Sequence, residues 1–300
     1  MSKVQQIASA YSELQKKICR ILEKADGKAS FTEHTWEKEI GSGSTCVIQN
    51  GNVIEKGAVN YSFVQGEFTP QMGKLLGEKA SHYAVTGISS IIHPVNPHVP
   101  IIHMNIRYFE LDNKTVWFGG GIDLTPHFVD VAEAKAFHQQ LKTMCDKYSA
   151  AFYPHFKEWA DNYFFIPHRN ETRGIGGIFF DRMKPDHTIS FEELLRFTVE
   201  LGNTYPKIYA EIMQKKSKLS FTEAEKKWQQ IRRGRYVEFN LVYDRGTKFG
   251  LESNGNTESI LVSLPANASW EFNYKVETDS PEYYTLQMLR KEIDWVNYTI

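Results

Sequence analysis

Cysteine is scarce: Cys19, Cys46 and Cys145 are the three in a chain of 300 residues. An odd, widely spaced set argues against a disulfide framework or a four-thiolate zinc site, and the plain expectation is a reducing, cytoplasmic setting. Charge excess is also missing. With 35 Lys+Arg against 36 Asp+Glu and a formal net of -1, no global field draws the chain to nucleic acid or to a membrane surface, so anion binding must be local. No long uncharged apolar run suggests a membrane span, and the first ten residues have neither the apolar core of a signal peptide nor the arginine bias of a transit peptide. Internal repeats and low-complexity linkers are absent too. Residues 1–300 therefore read as a single domain, and 41% hydrophobic content is enough for a sizeable core.

The richest stretch is 101–109, Ile-Ile-His-Met-Asn-Ile-Arg-Tyr-Phe. Read as a strand, it sends Ile102, Met104, Ile106 and Tyr108 to one face and His103, Asn105 and Arg107 to the other. Pro94, Pro97 and Pro100 hold the chain extended just before it. Segment 115–124 follows a turn at 111–114, and a hairpin centred on Asn113 sets His103 opposite Asp123, Asn105 opposite Gly121 and Arg107 opposite Gly119. A one-residue slip would turn Phe118, Ile122 and Leu124 onto the polar row, which the pattern disfavours. The glycines would leave open space above Asn105 and Arg107 for a flat ligand.

Elsewhere the pattern alternates between scaffold and candidate chemistry. Residues 2–24 place apolar side chains at helical spacing, 31–36 reads as a strand, and Gly41-Ser-Gly-Ser-Thr is expected to be a turn or flap that lacks the Gly-Lys-Ser/Thr of a phosphate loop. Asn50-Gly51 signals a hairpin, so the first third is meandering antiparallel sheet. Tyr83 to Ile92 is a further strand. Helices are expected over 130–150, opened by Asp130 with Glu133, over the region begun by Ser190 with Glu193 and broken by Gly202 and Pro206, and over the region begun by Thr222 with Glu225. His138 falls on the first helix's apolar stripe, where a histidine is usually a core residue. In 163–181, Arg169 and Arg173 flank Glu171, so that one carboxylate is expected to orient two guanidinium forks; the bland alternative is a surface ion-pair network. Arg232, Arg233 and Arg235, a candidate polyanion contact that a helix C-terminus would equally favour, precede an expected strand over 236–243, and a last helix is expected over 281–296.

These motifs resemble the oxygen-dependent coproporphyrinogen III oxidase family over nearly the whole chain. The likeness is densest in Gly87-Ile-Ser-Ser-Ile-Ile-His-Pro-Val-Asn-Pro-His, in 102–110, in Trp117-Phe-Gly-Gly-Gly-Ile-Asp-Leu-Thr-Pro, in His168-Arg with Arg173-Gly-Ile-Gly-Gly-Ile-Phe-Phe-Asp, and in Gly234-Arg-Tyr-Val-Glu-Phe-Asn-Leu. The resemblance implies an α+β fold, a large antiparallel β-sheet flanked on both faces by α-helices. It implies oxidative decarboxylation of two propionates of coproporphyrinogen III to vinyl groups, giving protoporphyrinogen IX in haem biosynthesis, with O2 as acceptor and CO2 and hydrogen peroxide as by-products. Carried over residue by residue, His103 is the proton donor, Asp123 the carboxylate that takes the pyrrole proton, and Arg107 the holder of the reacting carboxylate. Ser89, Asn105, Ile106, Arg107, Asn254, Gly255 and Asn256 contact substrate, although Asn256 stands where the family often has an arginine. No cofactor is needed to write the chemistry. A divalent metal, if used, would fall to His93, His103, His138 and His168, whose spacing matches no tight ligand motif. A homodimer is implied through strands over 236–271, a stretch opened by Tyr236 and closed by Glu271. Two other readings remain: a tetrapyrrole carrier, which has no use for paired His103 and Asp123, and a metal-dependent oxygenase, which needs two histidines and a carboxylate on one ion.

Overall fold

The computed structural model describes residues 2–252 and 256–299. Helix α1 (Lys3–Asp26) starts at Ser2, whose side chain forms a capping box with Gln5, and stops at Gly27 with φ 76°. Its stripe of Ile7, Tyr11, Leu14, Ile18 and Leu22 is buried, as the 3.6-residue spacing demands. The strands β1 (Thr32–Lys38), β2 (Gly41–Gln49), β3 (Ile54–Glu67), β4 (His82–Pro94), β5 (Ile101–Leu111) and β6 (Val116–Thr125) pair antiparallel in that order, with the short helix α2 (Pro70–Leu76) between β3 and β4. After α3 (Val131–Asp146), α4 (Phe152–Tyr163) and the two-residue strands β7 (Phe165–Ile166) and β8 (Glu171–Thr172), strand β9 (Gly176–Met183) joins the edge beside β6 and completes a seven-stranded sheet. The chain closes with α5 (Phe191–Lys216), α6 (Glu223–Val242), α7 (Arg245–Glu252), α8 (Thr257–Leu261) and α9 (Pro281–Met288).

Helices cover both faces of the sheet, as the fold class requires. On one face Ile102, Met104, Ile106, Tyr108, Phe118 and Ile122 join Leu14, Ile18, Leu201 and Tyr205 of α1 and α5 in the main core. Burying side chains of this size stabilises by about 1.5–3 kcal/mol each before conformational entropy is subtracted. On the other face α6 packs Tyr236 against Ala58, Ile91 and Ile101, and Phe239 against Phe164 and Phe179. Beyond α6, polar bonds seat α8 and the turn after it on the sheet: Asn60 Nδ2 donates to the Ser259 carbonyl at 2.8 Å, Lys56 Nζ to that of Leu264 at 2.8 Å, and Thr45 and Ser259 hydroxyls lie 2.6 Å apart.

Four sequence expectations give way. Residues 41–45 are the start of β2 and not a flap, because the sheet's pairing runs on through Gly41 opposite Val64 and Lys38. Helix α5 is unbroken: Pro206 lies inside it, and a Cβ on Gly202 would stand 2.5 Å from Leu14 Cδ2, so glycine there serves the close approach of α1. Residues 236–242 belong to α6, not to a strand, so the 236–271 stretch contains the end of α6, α7 and α8. Burial in α6 recurs at Trp228, Arg232, Tyr236, Phe239 and Asn240, a helical period in which Arg232 and Asn240 take places usually left to apolar residues. Helix α9 ends at Met288, earlier than 296.

Candidate functional site

The β5–β6 register is the expected one: His103 faces Asp123, Asn105 faces Gly121 and Arg107 faces Gly119. On the neighbouring strand Ser89 faces Asn105, so Ser89, His103, Asn105, Arg107 and Asp123 share one face. Around them the side chains of His103 and Arg107 remain 25% and 30% exposed, which leaves the centre of this face open to a ligand.

Asp123 is the hub. Its Oδ1 lies 2.9 Å from His103 Nδ1, and Arg173 Nη2 donates to Oδ1 at 2.9 Å and Oδ2 at 2.8 Å. Both Asp123 and Arg173 are 2% exposed. Removing such a pair from water is expensive unless the geometry and the remaining bonds are good. Here the guanidinium also donates from Nη1 to Asn240 at 3.1 Å and lies 4.5, 4.6 and 4.7 Å from the ring centroids of Phe164, Tyr236 and Phe239. Burial pushes the Asp123 carboxyl up, but the Arg173 charge and the His103 bond outweigh it and hold the group below the ordinary carboxylate range. A permanent anion at Nδ1 fixes the imidazole's orientation and commits that nitrogen, so proton exchange with a ligand falls to Nε2.

Arg107 is clamped at both ends. Its Nη1 donates to Asn105 Oδ1 at 2.8 Å, and its Nη2 lies 2.8 Å from Asp181 Oδ1. A Cβ on Gly119 would stand 2.7 Å from that Asp181 oxygen and 2.8 Å from Arg107 Nε. The space above this glycine is therefore filled by the ion pair and is not left for a ligand, contrary to the sequence expectation.

Other expected site residues lie elsewhere. Ile106 is 0% exposed in the core on the opposite face, because alternate strand residues point apart; its side chain cannot meet a ligand over His103. Asn254 and Gly255 lie outside the described residues. Asn256 caps α8, its Oδ1 accepting from the Ser259 amide at 3.2 Å. Glu171 does not join Arg169 and Arg173: it pairs with Arg232 at 2.8 Å, while Arg169 donates to Glu238 at 2.8 and 2.6 Å. Arg233 is buried against Glu55 and the Pro94 carbonyl, so the three arginines of α6 are not a polyanion contact.

The four histidines named for a metal do not fit one. His93 Nε2 is 2.9 Å from the Ser263 carbonyl; His138, buried, bonds Tyr153 at 3.0 Å and the Ile175 carbonyl at 3.0 Å; His168 bonds Tyr243 and Glu238, each at 2.7 Å; His103 Nδ1 is held by Asp123. Separate backbone and side-chain partners keep them apart, and among the described residues no three metal-capable side chains converge. Sequence reading missed Asn240, the aromatic cage of Arg173, and Asp181; each meets the site through partners distant in the chain.

Fold and site define a class: a sheet-borne imidazole and carboxylate pair beside a clamped guanidinium, suited to an anionic ligand that exchanges a proton. Residues 6–295 match the family described as coproporphyrinogen III oxidase, and the chain belongs to that family. It is 48% identical over 299 residues to the human oxygen-dependent coproporphyrinogen-III oxidase, mitochondrial, covering 95% of this chain and 65% of the human protein's length. It is 43% identical over 298 residues to Arabidopsis thaliana coproporphyrinogen-III oxidase 1, chloroplastic (94% of this chain, 76% of the relative), and 45% identical over 300 residues to the Drosophila melanogaster oxygen-dependent enzyme (95% and 76%). The expectation of a cytoplasmic protein is thereby corrected: the human and plant relatives are named for the mitochondrion and the chloroplast. No helix among the described residues is long and apolar enough to cross a membrane.

Proposed function

We propose that this chain is an oxygen-dependent oxidoreductase that converts two propionates of coproporphyrinogen III to vinyl groups, and that residues 1–300 act as one domain in doing so. For each propionate the balance is R–CH2–CH2–COO⁻ + O2 + H⁺ → R–CH=CH2 + CO2 + H2O2. The carbon–carboxylate bond and a C–H bond break, O2 takes the two electrons, and one proton is needed to complete the peroxide. The observation that supports this reading is the shared open face of His103, Asn105 and Arg107, with His103 held from below by the buried Asp123–Arg173 pair.

In this scheme Arg107 holds the carboxylate of the reacting propionate and Ser89 and Asn105 contact the ring substituents. His103 supplies the proton at Nε2 to the departing oxygen. Asp123 is sunk behind the imidazole with both oxygens engaged, so in this scheme it positions His103 and does not touch the pyrrole nitrogen as the resemblance implies. Arg173 keeps that carboxylate ionised. Oxygen enters as co-substrate, and no step is assigned to a metal.

Aerobic and anaerobic incubations with coproporphyrinogen III test the reading. Vinyl product is expected with oxygen alone, and His103→Ala and Asp123→Asn are each expected to lower kcat by about 10²–10⁴-fold. Full turnover in both variants would reverse the roles assigned here, and product formed without oxygen would remove the reaction itself. We further propose a homodimer through 236–271, supported by the exposure of Leu241, Val242, Leu251 and Trp270 in that stretch and of Phe272 immediately after it.

A further inference from the structure

Asp181 has no part in the scheme above, yet it occupies the guanidinium to which that scheme gives the substrate. Strand β9 pairs with β6 at Phe180 opposite Gly120 and next at Met183 opposite Phe118, so an extra residue bulges out at Asp181 and Arg182 beside Gly119. Arg182 takes φ 51°, a left-handed conformation that a non-glycine residue adopts only under local constraint. Its amide donates to Asp181 Oδ1 at 2.9 Å, and the same oxygen stands 2.8 Å from Arg107 Nη2. Bulges re-aim side chains, and this one aims a carboxylate at the cation of the open face, over a glycine that has no Cβ to block it.

We propose that Asp181 is a specificity-determining counter-ion: it fills the Arg107 fork in the free protein and must be displaced or shared when a ligand carboxylate arrives, which sets how tightly propionate is held. This rests on the reading that Arg107 receives a propionate. Both members of the pair are about one-third exposed, 30% and 31%. An ion pair in that setting is weak, so an incoming carboxylate can compete with it, while Asn105 keeps its own grip on Nη1. The simpler role for Asp181 is to close the bulge through the Arg182 amide. Asp181→Asn separates the two, since an asparagine oxygen still accepts that bond but carries no charge.

Binding of coproporphyrin III, the oxidised tetracarboxylate relative of the substrate, can be followed by fluorescence in the wild type, Asp181→Asn, Arg107→Ala and the double variant, at low and high salt. Asp181→Asn is expected to bind several-fold tighter than wild type at low salt. That gain should shrink as salt screens it and vanish in the Arg107→Ala background. Unchanged or weaker binding by a folded Asp181→Asn protein, or an equal gain without Arg107, overturns the proposal. If wild type turns over coproporphyrinogen and Asp181→Asn gains nothing, the counter-ion role alone fails. A wild type that neither binds nor turns over overturns the functional reading and this inference together.

Discussion

His138 lies far from the open face in role as well as in contacts. Both ring nitrogens are bonded inside the core, and the Trp295 ring stacks beside it at 6.2 Å between centroids. Burial, partly offset by the Ile175 carbonyl, holds its pKa down to about 3 from an ordinary 6.5. Between those values the unfolded chain takes up a proton that the native core refuses, so stability falls as pH drops from 6.5 toward 3. His93 and His127 are held low for the same first cause, burial, and then by the Arg233 charge. Denaturant midpoints at neutral and mildly acid pH should therefore fall with acidity, and His138→Gln should flatten part of that slope. A variant with the wild-type slope would place the acid sensitivity elsewhere. Asp123 and Arg173 use burial differently: each is kept charged by the other, and the imidazole above inherits a fixed anion.

At the scale of elements, the hairpin of β5 and β6 was legible because period-two alternation is strict there and a one-residue slip would drive Phe118, Ile122 and Leu124 out of the core. Helix α6 was legible at its start, where Thr222 and Glu225 form the expected capping box, but not at its end, where 236–242 reads as a strand. Its buried residues include Gln229, Arg232, Arg233 and Asn240, whose partners are Pro94, Glu171, Glu55 and Arg173, all distant in sequence. Local pattern cannot reveal a polar stripe satisfied from so far away, and the apolar residues in between imitate a strand. The same limit hid Asp181, since a bulge is a property of two strands together. The α1–α5 contact carries its own prediction. Gly202→Ala should destabilise by about 1–3 kcal/mol through overpacking against Leu14, measured by urea unfolding, and Leu14→Ala in that background should cost less than it does alone. Strict additivity would show that the two helices do not meet as closely as described.

For the whole molecule, helices on both faces hide most apolar surface, yet Phe272 is 96% exposed and Trp270 53%. Exposure of large rings on this scale fits a surface covered by a second copy. Sedimentation should find a dimer in the wild type and a shift toward monomer in Phe272→Asp; a monomeric wild type at micromolar concentration would remove the proposed interface.

Residues 240 and 241 are neighbours near the end of α6, turned about 100° apart on the helix. Asn240 is buried and bonded to Arg173, whereas Leu241 is 45% exposed. From Asn240 the path to the imidazole is three bonds long, through Arg173 and Asp123 to His103. Whatever presses on the outer side of that turn leans on the same rod that steadies His103, so crowding, dilution or a lesion at the rim should be felt as a change in turnover before the sheet itself gives way.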